Sequence, residues 1–362
     1  MRDRTGDDLA LAGAARAVLA AVRQADTGAH RGRQHGFVFV ARELMAAGLN
    51  SNLKRHTILE MNSFSKQRTA AARLPRLLIL GCGDVGMRLL PLLRGHYRVI
   101  AVTRDAARMP ALRAAGALPV LADLDQPASL RRLAGLAHTV IHLAPPPGEG
   151  ELDRRTRNVT AILPEAARVV YVSTTGVYGD LQGRHADETQ PVAPRNARAR
   201  RRVDAEHVLR AWARRAHGHL AIVRVPGIYA GDRLPLARLR QGTPALAAGD
   251  DVYTNHIHAD DLAAIVLRAL RRGRPQRVYH AVDDSDMKMA DYFDAVADAF
   301  GLPRPPRLPR AELAQAVSPT LLSFMSESRR LANDRLKREL GVCLRYPTVA
   351  DGLQQALRPE SA

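Results

Sequence analysis

Three glycines and a run of hydroxyl side chains are the residues whose types and spacing could do chemistry in this 362-residue chain. The glycines are Gly81, Gly83 and Gly86 in LLILGCGDVGMRLL, and the hydroxyls lie in VVYVSTTGVYGD, residues 169–180. The glycine pattern is typical of a turn that holds the diphosphate of a dinucleotide. A hydroxyl at a strand end could orient a reacting carbinol or carbonyl oxygen. The two features together raise the hypothesis of a dinucleotide-dependent oxidoreductase.

Short apolar runs alternate with helical patterns from Arg76 onward and would position these residues. Strands are predicted at 76–81, 97–104, 118–124, 138–146 and 168–174, with helices at 84–95, 106–116 and 128–136 between them. This alternation indicates an α/β protein in which a doubly wound parallel (Rossmann) sheet has helices on both faces. Such a sheet binds its ligand at the carboxyl ends of the strands.

The chain is expected to divide into three parts. Residues 1–74 differ in character and are interpreted either as a poorly ordered extension or as residues before a true start at Met61. Residues 75–225 form the dinucleotide-binding domain, to which 253–283 return, and 226–252 with 284–362 form a smaller substrate lobe.

The glycine turn is expected to bind the cofactor, because it follows a strand and opens a helix whose N-terminus would face the diphosphate. The residues assigned to this contact are Gly81, Cys82, Gly83, Asp84, Val85 and Gly86. A glycine-rich turn without a ligand is the alternative.

The end of the second strand should discriminate NAD from NADP. Thr103 and Arg104 stand there, and a guanidinium suits a 2′-phosphate, whereas NAD sites carry an acidic residue. NADP is therefore favoured over NAD, with Arg104 as an ordinary surface residue as the alternative.

Residues after the third and fourth strands would complete the cofactor site. Asp123 and Leu124 are placed at the adenine, and Ala144 and Pro145 on the nicotinamide side.

From Gly81 to the C-terminal region the order of motifs resembles the extended short-chain dehydrogenase/reductases, the NAD-dependent epimerase/dehydratase family. The resemblance rests on GCGDVG, ADL, HLAPPP, VYVSTTGVYGD, IVRVPGIYAGDRL and NHIHADDLAAIVLRAL and covers about residues 75–357. It implies a catalytic role for Thr174, whose hydroxyl would bond the reacting oxygen. The alternative is a hydroxyl that satisfies a loop backbone group.

The chain departs from that family on the next helix. The resemblance implies a Tyr-x-x-x-Lys pair followed by an acidic residue, but alignment on Glu206 puts Arg198 and Arg202 at those places. Arginine cannot exchange a proton near neutral pH. The chain is thus similar to the atypical branch of the family, for which cofactor binding is implied more firmly than any one reaction.

Three residues near the predicted strand ends are candidate substitute acids. Tyr229 is the preferred proton donor, followed by Tyr178 and by His142, with a packed structural role as the alternative for each. Arg202 is assigned to the cofactor and Arg198 and Arg233 to an anionic substrate, although a run of arginines is usually a solvated face.

Bulk properties exclude several other classes of protein. The net charge of +18 comes from an arginine-rich composition in which only four of 54 basic residues are lysine, and no nucleic-acid motif accompanies it. The two cysteines are far apart in the sequence and indicate neither a disulfide nor a zinc site. No apolar run is long enough to span a membrane. His256 and His258 are interpreted as structural residues, with Asp260 capping the next helix. We expect a cytoplasmic location, no bound metal and a small-molecule substrate, and leave open whether two copies form a homodimer.

The sequence is compatible with two functions. The first is an NADP-dependent oxidoreductase or epimerase-like enzyme acting on a carbinol or carbonyl of an anionic substrate of the nucleotide-sugar type, for which the hydroxyl-rich turn and the second lobe argue. The second is a non-catalytic NADP(H) sensor, for which the missing Tyr/Lys pair argues.

Overall fold

A computed structural model describes residues 74–358, so the expectations for residues 1–73 lie outside the described part. A seven-stranded, wholly parallel sheet runs through it, with strands β1 (Arg76–Leu80), β2 (Arg98–Thr103), β3 (Leu118–Leu121), β4 (Thr139–His142), β5 (Arg168–Thr174), β7 (His219–Val225) and β12 (Arg277–His280). Their order across the sheet is β12-β7-β5-β4-β1-β2-β3. The Rossmann-type α/β fold expected from the sequence is confirmed.

Helices cover both faces of the sheet because apolar residues on each strand point alternately to either side. On β1, Leu77 and Ile79 enter one core cluster while Leu78 and Leu80 enter the other. The helices of this layer are α1 (Asp84–Leu93), α2 (Met109–Ala114), α3 (Pro127–Leu130), α4 (Arg154–Thr160), α5 (Ala197–Arg215) and α7 (Ala259–Arg272).

A second lobe is built from segments that leave the sheet and return to it. It contains short strand pairs, β8 (Gly227–Tyr229) with β11 (His256–His258), β9 (Ala245–Leu246) with β14 (Arg307–Leu308), and β10 (Tyr253–Thr254) with β13 (Met287–Lys288). Its helices are α6 (Leu236–Arg240), α8 (Met289–Ala299), α9 (Arg310–Ala316), α10 (Pro319–Phe324) and α12 (Val349–Leu357). A further pair, β6 (His185–Ala186) with β15 (Arg330–Leu331), ties a loop after β5 to this lobe.

Helix α11 (Asp334–Leu340) does not follow the sequence-based division. Leu336 and Leu340 are fully buried in the core cluster that contains α1 and α7, so this helix packs with the sheet layer. The assignment of all of 284–362 to the substrate lobe was therefore too coarse, because a helix pattern alone does not show which apolar surface it covers.

Two predicted strands are shorter than expected. β3 ends at Leu121, so Asp123 and Leu124 lie in the loop after it, where Gln126 N donates to Asp123 O. β4 ends at His142, and the next two N–H groups, of Leu143 and Ala144, both donate to Leu80 O instead of continuing the ladder. No helix in the described range 74–358 is both long and apolar enough to cross a membrane.

Candidate functional site

The glycine turn has the geometry that the sequence predicted. Gly81 has φ +77°, and a Cβ there would lie 2.6 Å from Ala144 Cα, so only glycine fits. A Cβ on Gly86 would lie 2.7 Å from Cys82 Sγ, which keeps α1 close to β1. At Gly83, by contrast, an added Cβ would meet only Gly81 O, at 4.0 Å. The space above Gly83 is therefore open.

The residues of this turn fit a dinucleotide diphosphate. Gly83 is the N-cap of the ten-residue helix α1 and supplies no side chain to cap it, so the first N–H groups of the helix are free of a capping acceptor. Val85 packs against the sheet core, and Cys82 is buried with the pKa of its thiol raised to about 11. Cys82 is thus a packing residue whose backbone belongs to the turn, not a nucleophile.

An ion cluster joins the start of α1 to the second lobe. The Asp84 carboxylate lies 3.2 Å from Arg88 Nε and 2.8 Å from Arg233 Nη1. Arg88 also pairs with Asp232 at 2.7 Å and with Asp260 at 2.8 Å. Arg233, assigned to the substrate from the sequence, therefore lies beside the glycine turn, because the loop after β8 reaches back to α1.

The ends of β2 and β3 form the side expected to hold the adenosine. Thr103 Oγ1 accepts from Asp105 N at 3.1 Å and closes the turn, while Arg104 is exposed and forms no ion pair with a described residue. The Asp123 carboxylate accepts from Asp125 N, and the Leu124 carbonyl accepts from an asparagine amide of α4.

Arg155 completes the wall between this side and the end of β4. Its guanidinium pairs with Asp125 at 2.6 Å and donates to Pro145 O at 3.0 Å. The loop with Ala144 and Pro145 is thereby fixed beside Gly81. The described residues place Gly81–Gly86, Thr103–Arg104, Asp123–Leu124 and Ala144–Pro145 along one edge of the sheet.

A role for His142 as an acid requires a pKa near neutral pH, and the buried ring does not have one. It is 1% exposed, and its Nε2 lies 3.2 Å from Thr156 Oγ1. Burial lowers the pKa of His142 to about 3, so the ring is neutral at pH 7.

A pocket opens between the carboxyl end of β5 and the second lobe. Its volume is about 150 Å³, and its wall includes Thr174, Thr175, Asn196, Arg198 and Tyr253. Thr174 is half-buried, and its Oγ1 accepts from Gly176 N at 3.3 Å, which leaves the hydroxyl proton available. Thr174 therefore lines a pocket, while its oxygen satisfies a loop N–H as in the alternative interpretation.

Tyr178 lies in a buried network and not in this pocket. Its phenol oxygen accepts from Arg224 Nη1 at 2.7 Å and lies 2.5 Å from His280 Nε2. Because the phenol accepts from Arg224, its own proton goes to His280, whose Nδ1 then donates to Ala332 O. Burial raises the pKa of Tyr178 to about 12. These contacts do not support a role as an exchangeable acid.

The same network contains a buried ion pair that the sequence analysis did not identify. Arg224 Nη2 lies 2.7 Å from Glu206 Oε2, and Ser173 Oγ donates to Glu206 Oε1 at 2.6 Å. Both partners are at most 6% exposed. The pair connects β5, α5 and β7 directly below the hydroxyl-rich turn, and it explains the acidic residue of α5 on which the alignment was anchored.

Tyr229, the preferred acid from the sequence, lies in the core of the second lobe. Its hydroxyl donates to Thr348 O at 3.0 Å, its ring contacts Gly352, and burial raises its pKa. It does not line the pocket beside Thr174. The interpretation failed because GIYAG enters the lobe as strand β8, which turns this side chain inward.

The two arginines of α5 have different surroundings. Arg202 Nη1 donates to Val172 O at 2.8 Å and to Tyr171 Oη at 3.1 Å, so it is held against β5. Arg198 is exposed at the pocket, with its guanidinium carbon 4.2 Å above the Phe324 ring. Arg198 therefore has the position expected of a substrate-contacting residue, whereas Arg202 already has protein partners.

The histidines of NHIHADD are structural. His258, and not Asp260 as expected, caps α7: its Nδ1 accepts from Asp260 N at 3.2 Å. The ring of His256 stacks on Tyr292 at 4.3 Å between centroids. Among residues 74–358 there is no group of three His, Cys, Asp or Glu side chains that could hold a metal ion.

Asp283 follows the return strand β12 in the same buried region. It is 4% exposed, its N–H donates to His256 O, and its Oδ1 accepts from Ser285 N at 3.0 Å. Its Oδ2 has no hydrogen-bond partner, and burial raises the pKa of Asp283 to about 8.

Most residues of the pocket wall were not identified from the sequence, among them Asn196, Tyr253, Glu327 and Arg329. Asn196 caps α5, Tyr253 lies on β10, and Glu327 pairs with Arg329 near the C-terminal part of the wall. Tyr253 is the tyrosine that lines the pocket, and it lies opposite Lys288 in the β10–β13 ladder. The position of VYT just before NHIHADD is the one signal that could have identified it, since the following strand pairs with the entrance to the lobe.

Both the sequence and the fold of this chain are similar to those of known proteins. A sequence profile of the NAD dependent epimerase/dehydratase family matches residues 77–281, which is more than half of the chain. A solved structure of a functionally unknown conserved protein from Silicibacter pomeroyi is 32% identical, with a TM-score of 0.66 over 78% of this chain and 98% of that one.

Two further similarities are weaker in sequence. A dTDP-glucose 4,6-dehydratase (DesIV) from Streptomyces venezuelae, solved with NAD bound, shares the fold at 22% identity and a TM-score of 0.62, over 78% of this chain and 95% of that one. The human dTDP-D-glucose 4,6-dehydratase is 24% identical over 130 residues. That alignment spans 34% of this chain and 37% of the human protein.

Proposed function

The chain belongs to the NAD-dependent epimerase/dehydratase family, and from that membership and the strand-end site we propose that it is an oxidoreductase-like protein that binds NADP(H). Its substrate would present a carbinol or carbonyl oxygen to Thr174. The observation that carries this proposal is the pocket that opens beside Thr174 at the carboxyl end of β5, on the same edge of the parallel sheet as the glycine turn.

The chain's own residues would hold the dinucleotide along the sheet edge. The open space above Gly83 and the uncapped start of α1 suit the diphosphate. Arg104, exposed and without an ion pair among the described residues, suits a 2′-phosphate through two parallel N–H bonds. When bound, the nicotinamide would supply or accept the hydride.

Two side chains of the pocket would act on the substrate oxygen. The Thr174 hydroxyl keeps its proton free while its oxygen accepts from Gly176 N, so it can donate to that oxygen. Tyr253 would supply the proton in place of the tyrosine expected on α5. Its ring is held by two cations, with Arg330 Cζ 4.3 Å and Lys288 Nζ 5.9 Å from the ring centroid.

Titration of the purified protein with NADPH and NADH, followed by nicotinamide fluorescence, tests the cofactor. NADPH should bind more tightly, and Arg104→Gln should reduce that preference by about tenfold or more, because a charge-assisted bidentate contact is lost. Arg113→Gln, an exposed arginine of α2, is the matched control. Equal or tighter binding of NADH by the wild type would contradict the assignment.

Turnover is tested by oxidation of NADPH in the presence of aldehydes and ketones. Thr174→Ala and Tyr253→Phe should each lower kcat by about tenfold to a thousandfold without changing NADPH affinity. Tyr97→Phe, a tyrosine that does not line the pocket, should leave kcat unchanged.

A second function, a non-catalytic NADP(H) sensor, is favoured by one observation. Helix α5 contains neither tyrosine nor lysine, and Arg202 is held by β5 where the family resemblance implies a lysine. Tight NADPH binding without turnover of any substrate tested would favour this function over the enzyme.

A further inference from the structure

The size of the pocket beside Thr174 limits what it can hold. Its volume is about 150 Å³, and a protein cavity of about that volume holds benzene. Pockets for larger organic ligands are about 300–1,000 Å³. A nucleoside diphosphate sugar contains several times as many non-hydrogen atoms as benzene, so the enclosed part of this pocket fits a much smaller molecule.

The charged side chains of the pocket leave one cation uncompensated. Arg198, Arg329 and Glu327 line it, and two guanidiniums against one carboxylate give a net charge of +1. Glu327 is 8% exposed and pairs with Arg329, which also donates to Gly179 O at 2.7 Å. Arg198 forms no hydrogen bond or ion pair with a described residue and contacts Phe324 instead. Glu327 acts on Arg198 only at longer range, so Arg198 is the pocket cation without a counter-charge in contact with it.

The contact with Phe324 also holds this guanidinium at the pocket wall, with Arg198 Cζ 4.2 Å from the ring centroid. A planar guanidinium lying over an aromatic face keeps its N–H groups directed outward from its edge. Those N–H groups match the two oxygens of a carboxylate in geometry and charge. Phe324 is 47% exposed, so it forms one side of an open entrance.

We infer that the substrate is a short-chain carboxylate of about six non-hydrogen atoms that carries a hydroxyl or oxo group, not a nucleotide sugar. Its carboxylate lies on Arg198 and its reacting oxygen on Thr174. This inference rests on the proposed function, since it names the substrate class of the same pocket.

Isothermal titration with acetoacetate tests the inference, with acetoacetamide as its neutral isostere and UDP-glucose as the large probe. Titrations are made with and without saturating NADP⁺. Acetoacetate should bind about tenfold or more tightly than acetoacetamide, because only the acid pairs with Arg198. UDP-glucose should not displace it.

Variants assign the effect to the residue. Arg198→Ala should weaken acetoacetate binding by about tenfold to a hundredfold, and Arg198→Lys should recover part of it, because lysine keeps the charge without the fork of N–H groups. Arg200→Ala is the matched control: it lies on the same helix but pairs with Glu151 at 2.8 Å, outside the pocket, and should change binding by less than about twofold.

Three results would overturn the inference: no acetoacetate binding in either state, equal affinity for the acid and the amide, or displacement of acetoacetate by UDP-glucose. Each can occur while NADPH still binds, which would leave the cofactor part of the proposed function intact. Loss of NADPH binding alone, with acetoacetate still bound through Arg198, would instead reject the proposed cofactor and support the carboxylate site.

Discussion

Replacing Asp283 should change how the stability of the protein depends on pH. The carboxyl group is 4% exposed, and one of its oxygens has no hydrogen-bond partner, so burial raises its pKa from 3.8 to about 8. The folded state thus favours the protonated acid. The stability from this group is complete below pH 3.8 and is lost as the pH rises through 8, because the unfolded chain releases the proton first.

The magnitude follows from the proton affinity. Each tenfold change is worth about 1.4 kcal/mol, so a pKa raised from 3.8 to about 8 corresponds to a loss on the order of 6 kcal/mol over the whole range. Between pH 5 and pH 8, about 4 kcal/mol of this should be lost. In Asp283→Asn the amide oxygen can still accept from Ser285 N, and the pH-dependent loss disappears.

Urea unfolding at pH 5 and pH 8 measures the effect as the difference between wild type and Asp283→Asn, which removes the contribution of every other titrating group. That difference should move by about 4 kcal/mol in favour of the variant as the pH rises. Asp291→Asn, an exposed acid of α8, is the control and should show no such change. A wild type to Asp283→Asn difference constant to within about 1 kcal/mol would refute the buried, protonated carboxyl.

Two pairs of substitutions test the glycine turn and the buried Arg224–Glu206 ion pair. Gly81→Ala should lower the free energy of unfolding by about 1–3 kcal/mol, because of its positive φ and the clash with Ala144, whereas Gly83→Ala should leave it nearly unchanged and weaken NADPH binding by about tenfold. Urea unfolding and fluorescence titration separate the two, and equal effects would refute the open space above Gly83. Arg224→Met should lower the free energy of unfolding by about 3–5 kcal/mol, because it leaves Glu206 buried without its partner. Adding Glu206→Leu should recover part of that loss. A double variant as unstable as Arg224→Met would argue against an uncompensated buried charge as the cause.

The sheet and the glycine turn were predictable because they depend on local patterns. The strand Arg168–Thr174 has the bounds that its apolar run predicted, and the glycines after β1 occupy the turn that their spacing predicted. The family membership, inferred from these motifs, is confirmed by the match over residues 77–281.

The side chains of the site were less predictable because their roles depend on neighbours distant in sequence. Tyr229 looked suitable at a strand end, but Gly352, far along the chain, covers its ring. The charge of Arg233 predicted a contact with an anionic substrate, but in the fold Arg233 pairs with Asp84. Tyr253 was missed because the position of VYT before NHIHADD does not by itself show that β10 lines the pocket.

Helix α11 bears on how this polypeptide can be made and divided. Leu336 and Leu340 complete an apolar face of the sheet layer, although they follow most of the second lobe in the chain. During synthesis this apolar face therefore stays exposed to water until the residues through Leu340 have left the ribosome. A fragment that ends after β12 would leave that face exposed. The two lobes therefore cannot be exchanged between relatives as independent units.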